Sequence, residues 1–179
     1  NCKDVVGRYG KIDALVNNAA NNPKIGNSDT KNFSRLENFP LELWHSDLEV
    51  GLTGAFLCTK HYGEALSKNP NGGVIINISS DLGLIAPDQR LYKNPNSSVN
   101  EQPVKPVTYS VIKTGLIGLT RYIATYWPER VRCNALCPGG VDIGLPEDFL
   151  EKVKKRIPMN RMASPDESQG VLIFLLSDS

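Results

Sequence analysis

Apolar positions fall into two kinds of run along the chain. Short, nearly continuous apolar segments recur at Ile12–Asn17 (IDALVN), Val74–Ile78 (VIINI) and Val131–Leu136 (VRCNAL), each flanked by turn residues. Runs of this length without polar alternation predict strands buried on both faces. Between them lie longer stretches with helical spacing. Pro40 to about Ser67 reads as one long helix, with Pro40 near its first turn and Asn69-Pro70-Asn71-Gly72-Gly73 as the stop. Tyr109–Trp127 is apolar almost all round, which predicts a helix buried on several sides or lying in a subunit interface. A short helix is expected at Pro146–Arg156, and a final one at Asp166–Leu176 with Ser164 as N-cap and Pro165 at the first helical position. The opening residues read as the middle of a helix.

Strand, helix, strand, helix, strand, helix predicts an α/β fold: a doubly wound parallel sheet, Rossmann-like, forming one domain over residues 1–179. Ligands of such sheets bind at the carboxyl ends of the strands. Here those ends are Asn17-Asn18-Ala19-Ala20, Ser79-Ser80-Asp81 and Cys137-Pro138-Gly139-Gly140, all small or polar. Residues 21–40 read as a loop. Residues 84–106 carry Pro87, Pro95, Pro103 and Pro106 and are too long for a simple connection, a feature often linked to function. Residues 141–165 form a second variable segment.

Composition narrows the function. Twenty Lys and Arg against nineteen Asp and Glu leave a net charge of +1, so a nucleic-acid partner is not expected. No apolar run is long enough to span a bilayer, and the opening NCKDVVGRYG shows no leader peptide. A membrane partner is not expected, and a cytoplasmic location is. The four cysteines, Cys2, Cys58, Cys133 and Cys137, are not clustered with His45 or His61 as a zinc site needs. They read as buried free thiols, and no metal is expected.

Six segments, in order, resemble the short-chain dehydrogenase/reductase family: LVNNAA, LTGAFLCTK, VIINISS, YSVIK, VRCNALCPGG and RMASPDESQGVLIFLLSD. The resemblance implies NAD(P)-dependent interconversion of a hydroxyl and a carbonyl in a small-molecule alcohol or ketone. The catalytic residues it implies are Ser80, Tyr109 and Lys113. Tyr109 and Lys113 are four apart on one predicted helix, so both side chains share a face. A cation about 4 Å from a phenol is worth roughly 4 kcal/mol at an effective dielectric near 20, or about three pK units. That turns a weak acid with a pKa of about 10 into a usable acid/base. Ser80 rather than Ser79 is expected to hold the substrate oxygen, with Ser79 turned into the packing. The implied cofactor contacts, to NAD or NADP, are Asn18, Ala19, Tyr109, Lys113, Pro138, Gly139 and Val141. Asn17 and Asn18 also suit loop capping. Members of the family also form homodimers or homotetramers, here through helices 40–67 and 109–127.

The chain departs from the family pattern in several places. The glycine-rich phosphate loop is absent, and so is the last strand, so the chain is expected to be a fragment or the interpreted part of a longer protein, incomplete on the N-terminal side of the sheet. Ala20 replaces a usual glycine, and VDIGLP after the third strand lacks the usual Thr. Gly51, in VGLTG, stands where the family has an asparagine that carries a proton-relay water, so another polar group or water chain must substitute, or catalysis is lost. Ser80 and Tyr109 are 29 residues apart, longer than the family's usual separation. The excess falls in loop 84–106, which reads either as a surface insertion with no role or as a segment that sets Asp88, Arg90 and Tyr92 over a polar substrate such as a sugar or nucleotide-sugar. Competing expectations are an epimerase or dehydratase using the same Tyr-Lys pair, and a noncatalytic scaffold.

Overall fold

The computed structural model describes residues 1–21 and 34–178. Helix α1 (Cys2–Tyr9) opens the chain, its first turn closed by a capping box between Asn1 and Asp4. Strand β1 (Ala14–Asn17) follows. The helix expected over 40–67 runs as α2 (Leu41–Leu48), a π-helical turn (Glu49–Thr53) and α3 (Gly54–Ser67), with Pro40 at the N-cap. Gly51 is the middle residue of the π turn, a type of distortion that concentrates at functional sites. Strand β2 (Gly73–Ile78) leads through a 3₁₀ turn at Asp81–Gly83 into the polar segment 84–106, which holds two more 3₁₀ turns. Helix α4 (Val107–Tyr126) begins two residues earlier than expected. Strand β3 (Val131–Leu136), helix α5 (Glu147–Lys154) and helix α6 (Gln169–Leu176) complete the described chain.

The three strands form one parallel sheet in the order β1-β2-β3. Ile75 of β2 lies beside Leu15 of β1 and Cys133 of β3. These residues, with Ile12, Leu66, Ile123 and Val131, make the main core beneath α1, α3 and α4. Strand alternation turns Val74 and Ile76 to the opposite face, and both are buried. Arg132 ties the end of α6 to β3 through the Leu175 and Ser177 carbonyls.

The stop after α3 has a physical basis. Gly72 adopts φ +70, and an added Cβ there would strike the Arg130 carbonyl. Asn69 Nδ2 donates to the Ile12 carbonyl, and the Arg130 guanidinium donates to the carbonyls of Ser67, Asn69 and Pro70. These bonds lock the entry to β2 against the entry to β1.

Three sequence expectations need correction. Ser164 sits at the N-cap position with Pro165 behind it, but its side chain makes no capping bond, and the first turn, Pro165–Ser168, is 3₁₀. Asn17 does not cap a loop: it is buried and bonds Thr59 and Asn77. All four cysteines are free, but only Cys133 is buried. The loop expected over 21–40 is described only at Asn21 and from Ser34 onward.

Candidate active site

The carboxyl ends of the strands and the first turn of α4 converge. Asn18, Ala19 and Ala20 leave β1 exposed to solvent. Pro138 follows β3, and its carbonyl accepts from the Asp81 amide at 3.0 Å, joining the ends of β2 and β3. Gly139 is exposed beside Asp81. Val141 pairs in parallel with Ala163, which ties the two ends of the 141–165 segment to each other.

The two serines part as alternation requires. Ser79 is buried, and its Oγ donates to the Lys113 carbonyl at 2.7 Å, clamping α4 against the end of β2. Ser80 Oγ donates to Asp81 Oδ1 at 2.7 Å and accepts from the Leu82 amide at 3.2 Å.

Tyr109 and Lys113 share one face of α4. The Lys113 ammonium donates to the Ile78 carbonyl at 2.8 Å, just before the two serines, and lies 5.7 Å from the Tyr109 ring centre. Burial lowers its pKa, and Cys137 nearby opposes that shift. Lys105 stands closer, its Nζ 3.7 Å from the Tyr109 ring centre. Burial, reinforced by Lys113, pushes the Lys105 pKa down to about 8, while Asp81 pulls the other way. Tyr92 is the second group from outside α4. Burial, with added repulsion from Tyr109 and Asp81, pushes its phenol up to about 12. Its ring rests on Phe149 of α5, 5.8 Å between centres.

Beneath the site runs a buried amide chain. Asn17 Nδ2 donates to Asn77 Oδ1 at 2.8 Å and to Thr59 Oγ1 at 3.1 Å, and Asn77 Nδ2 donates to Thr120 Oγ1 at 2.8 Å. These bonds tie β1, β2, α3 and α4 together and fix α4 in register with the strand ends.

Loop 84–106 divides its expected contacts. Asp88 accepts two bonds from Arg90 at 2.9 Å and one from Arg156 at 2.7 Å, which hold its carboxyl well below the usual carboxylate range. Asp88 and Arg90 therefore anchor the loop to the residues after α5. Only Tyr92 of the three expected contacts reaches toward Tyr109. A cleft of about 390 Å³ is bounded by Ser34, Arg35, Pro87, Gln89, Lys105 and Ser110. Lys105 and Asp47 were not singled out in the sequence. Lys105 carries a signal, lying one helical turn before Tyr109 between Pro103 and Pro106. Asp47 shows only as a charge inside an apolar helix face.

No group of three or more His, Cys, Asp or Glu able to hold a metal occurs among the described residues. No described helix is long and apolar enough to cross a membrane.

A parallel sheet whose strand ends gather small polar residues, a Tyr-Lys pair and a serine defines a Rossmann-like domain. The chain belongs to the short-chain dehydrogenase/reductase family; a family model described as enoyl-(acyl carrier protein) reductase matches residues 2–179. It is 33% identical over 187 residues to an uncharacterized oxidoreductase of Thermotoga maritima, covering 98% of this chain and 64% of that one. It is 34% identical over 176 residues to the cis-4-hydroxycyclohexanecarboxylate dehydrogenase of Sinomonas cyclohexanicum, covering 96% and 61%. The structure of a gluconate 5-dehydrogenase from Burkholderia cenocepacia, solved with NADP and tartrate, superimposes with a TM-score of 0.79 at 25% identity, covering 98% of this chain and 62% of that one. The chain thus spans less than two thirds of the length of these relatives.

Proposed function

We propose that the protein containing this chain transfers hydride between a nicotinamide dinucleotide and a hydroxyl/carbonyl pair. The observation that carries the reading is the placement of Tyr109 and Lys113 on one face of α4, with the Lys113 ammonium held on the last carbonyl of β2. The exposed backbone at Asn18–Ala19 and the turn Pro138, Gly139 and Val141 suit one side of a dinucleotide. Lys113 spends one donor on Ile78 and keeps others for a ribose hydroxyl. The bound nicotinamide supplies the hydride chemistry. No glycine-rich phosphate loop occurs in this chain, so these residues account for the nicotinamide end alone.

Tyr109 exchanges the proton of the substrate oxygen. Two ammonium groups stand by its ring, Lys105 at 3.7 Å and Lys113 at 5.7 Å from the ring centre. Ser80 orients the substrate oxygen by turning its hydroxyl from Asp81 to that oxygen. Tyr92 and the 390 Å³ cleft lie on the substrate side, which suits a polyhydroxy compound of sugar or nucleotide-sugar type. α3 and α4 also suit a homodimer or homotetramer interface, since Phe56, Leu57 and Tyr122 remain exposed there.

The test is oxidation of NADH and NADPH by the full-length protein with ketones and keto-sugars, and the reverse reaction with the matching alcohols. Cofactor-dependent turnover of at least one pair is expected. Nucleotide binding without turnover of any would reject the reading.

A further inference from the structure

Asp47, on α2, is a buried carboxylate at 2% exposure. Its Oδ2 accepts a 2.6 Å hydrogen bond from Thr108 Oγ1, at the residue preceding Tyr109. Its Oδ1 has no hydrogen-bond partner among the described residues. A carboxylate oxygen left unsatisfied in the interior costs about 1–3 kcal/mol or more. Asp47 also lines a pocket of about 20 Å³ together with Lys105, Thr108, Tyr109, Ile112 and Lys113. A water needs roughly 10–15 Å³ and two to four polar partners. The pocket has room for one water, and its walls include a carboxylate, a phenol and two lysines.

We propose that Asp47 seats a water molecule in this pocket and that the water couples the Asp47 carboxylate to the Tyr109 phenol as a proton path. Asp47 is then a positioning residue, acting on the reaction through the water. The proposal rests on Tyr109 being the acid/base of the reaction proposed above. In the oxidative direction the alcohol O–H bond breaks and its proton joins the Tyr109 phenolate; a bound nicotinamide would take the hydride with both C–H electrons. The phenol then gives its proton to the water, and a proton of that water forms an O–H bond with Asp47 Oδ1. From there it returns through the water and leaves past Asn21, the exposed residue that also lines the pocket. The phenolate and the carboxylate are both restored. The titratable groups around the Tyr109 ring and the pocket are Lys105 from the polar segment, Lys113 on α4, Asp47 on α2 and the Tyr92 phenol, with Asp81 acting on both Tyr92 and Lys105. Asp47 is the negative group on the pocket side. Ile112, the residue that meets Gly51, also lines the 20 Å³ pocket.

Two measurements on the full-length protein test this. A high-resolution crystal structure should show an ordered water within hydrogen-bond distance of Asp47 Oδ1. Tyrosine labelled at the ring carbon bearing the hydroxyl, assigned by Tyr109→Phe, should titrate by NMR at lower pH in Asp47→Asn than in the parent, by about half a unit or more, because a negative neighbour is lost. Should Asp47→Asn fail to fold, Asp47→Ser replaces it, with the same expected direction. A tether serving only Thr108 would lower the melting temperature without moving the Tyr109 titration. A dry pocket, or an unmoved titration in a folded variant, overturns the proposal. Water and shift together, without turnover of any substrate, would uphold the proton site and reject the dehydrogenase reading instead.

Discussion

Gly51 and Ile112 compete for one space. A Cβ added to Gly51 would lie 2.8 Å from Ile112 Cγ2 and 3.1 Å from its Cδ1. The π turn at Glu49–Thr53 brings this glycine against α4. The isoleucine directly before Lys113 thus fills the place toward which a larger side chain at Gly51 would project.

Gly51→Ala is therefore expected to destabilise the fold. Overpacking costs about 1–3 kcal/mol, against a helix-propensity gain of about 1 kcal/mol. Ile112→Ala should relieve the clash, so the double variant should be more stable than the sum of the singles by about 1 kcal/mol or more. Urea unfolding of the four proteins measures the coupling. Additive effects would contradict the contact. Gly51→Asn alone is expected to fail sterically, not to restore a proton relay.

The buried amide chain yields a second prediction. Asn77→Ala removes one hydrogen-bond partner from each of Asn17 and Thr120, which keep Thr59 and the Leu116 carbonyl. A loss of about 1–3 kcal/mol is expected, since two buried hydrogen bonds worth about 0.5–1.5 kcal/mol each are lost. Denaturant midpoints check this, and a change below about 0.5 kcal/mol, the size of an ordinary surface substitution, would contradict it.

Lys105 gives a pH dependence whose sign follows from its depressed pKa. In the unfolded chain this lysine titrates near its usual 10.5, and in the folded protein near about 8. Between those values the unfolded state binds more protons, so the lysine's contribution to stability rises with pH across that window. Below about pH 8 the cost of burying its charge is fully present. Lys105→Met should thus gain most over the parent at pH 7, and that gain should shrink toward pH 10.5. A gain that grows with pH would contradict the assignment.

The Asp88 knot predicts a local effect. Asp88→Ala releases both Arg90 and Arg156. Protease cleavage within residues 84–106 should speed up while the melting temperature changes little, because the bonds are solvent-exposed and worth little to global stability. Unchanged cleavage would show that the loop is held elsewhere.

The sheet was legible in the sequence because its strands are buried on both faces and read as plain apolar runs. The Tyr-Lys pair was legible because helical spacing makes four residues one face. What escaped depends on three-dimensional juxtaposition. Asp47, Lys105 and Asn77 come from separate segments, and each looks ordinary alone. The π turn was invisible because π and α turns share the same apolar spacing over so short a stretch. Asp88 and Arg90 read as substrate contacts because their partner, Arg156, lies 68 residues away from Asp88. The Ser164 cap was misjudged because a suitable residue at the N-cap position need not turn its hydroxyl inward.

The most direct test of the account is the turnover of Tyr109→Phe in the full-length protein, read beside its nucleotide affinity. The account predicts that turnover falls by about 10²–10⁴, the usual worth of a positioned acid/base, while NADH or NADPH binding stays within a few fold. Turnover equal to the parent would contradict it.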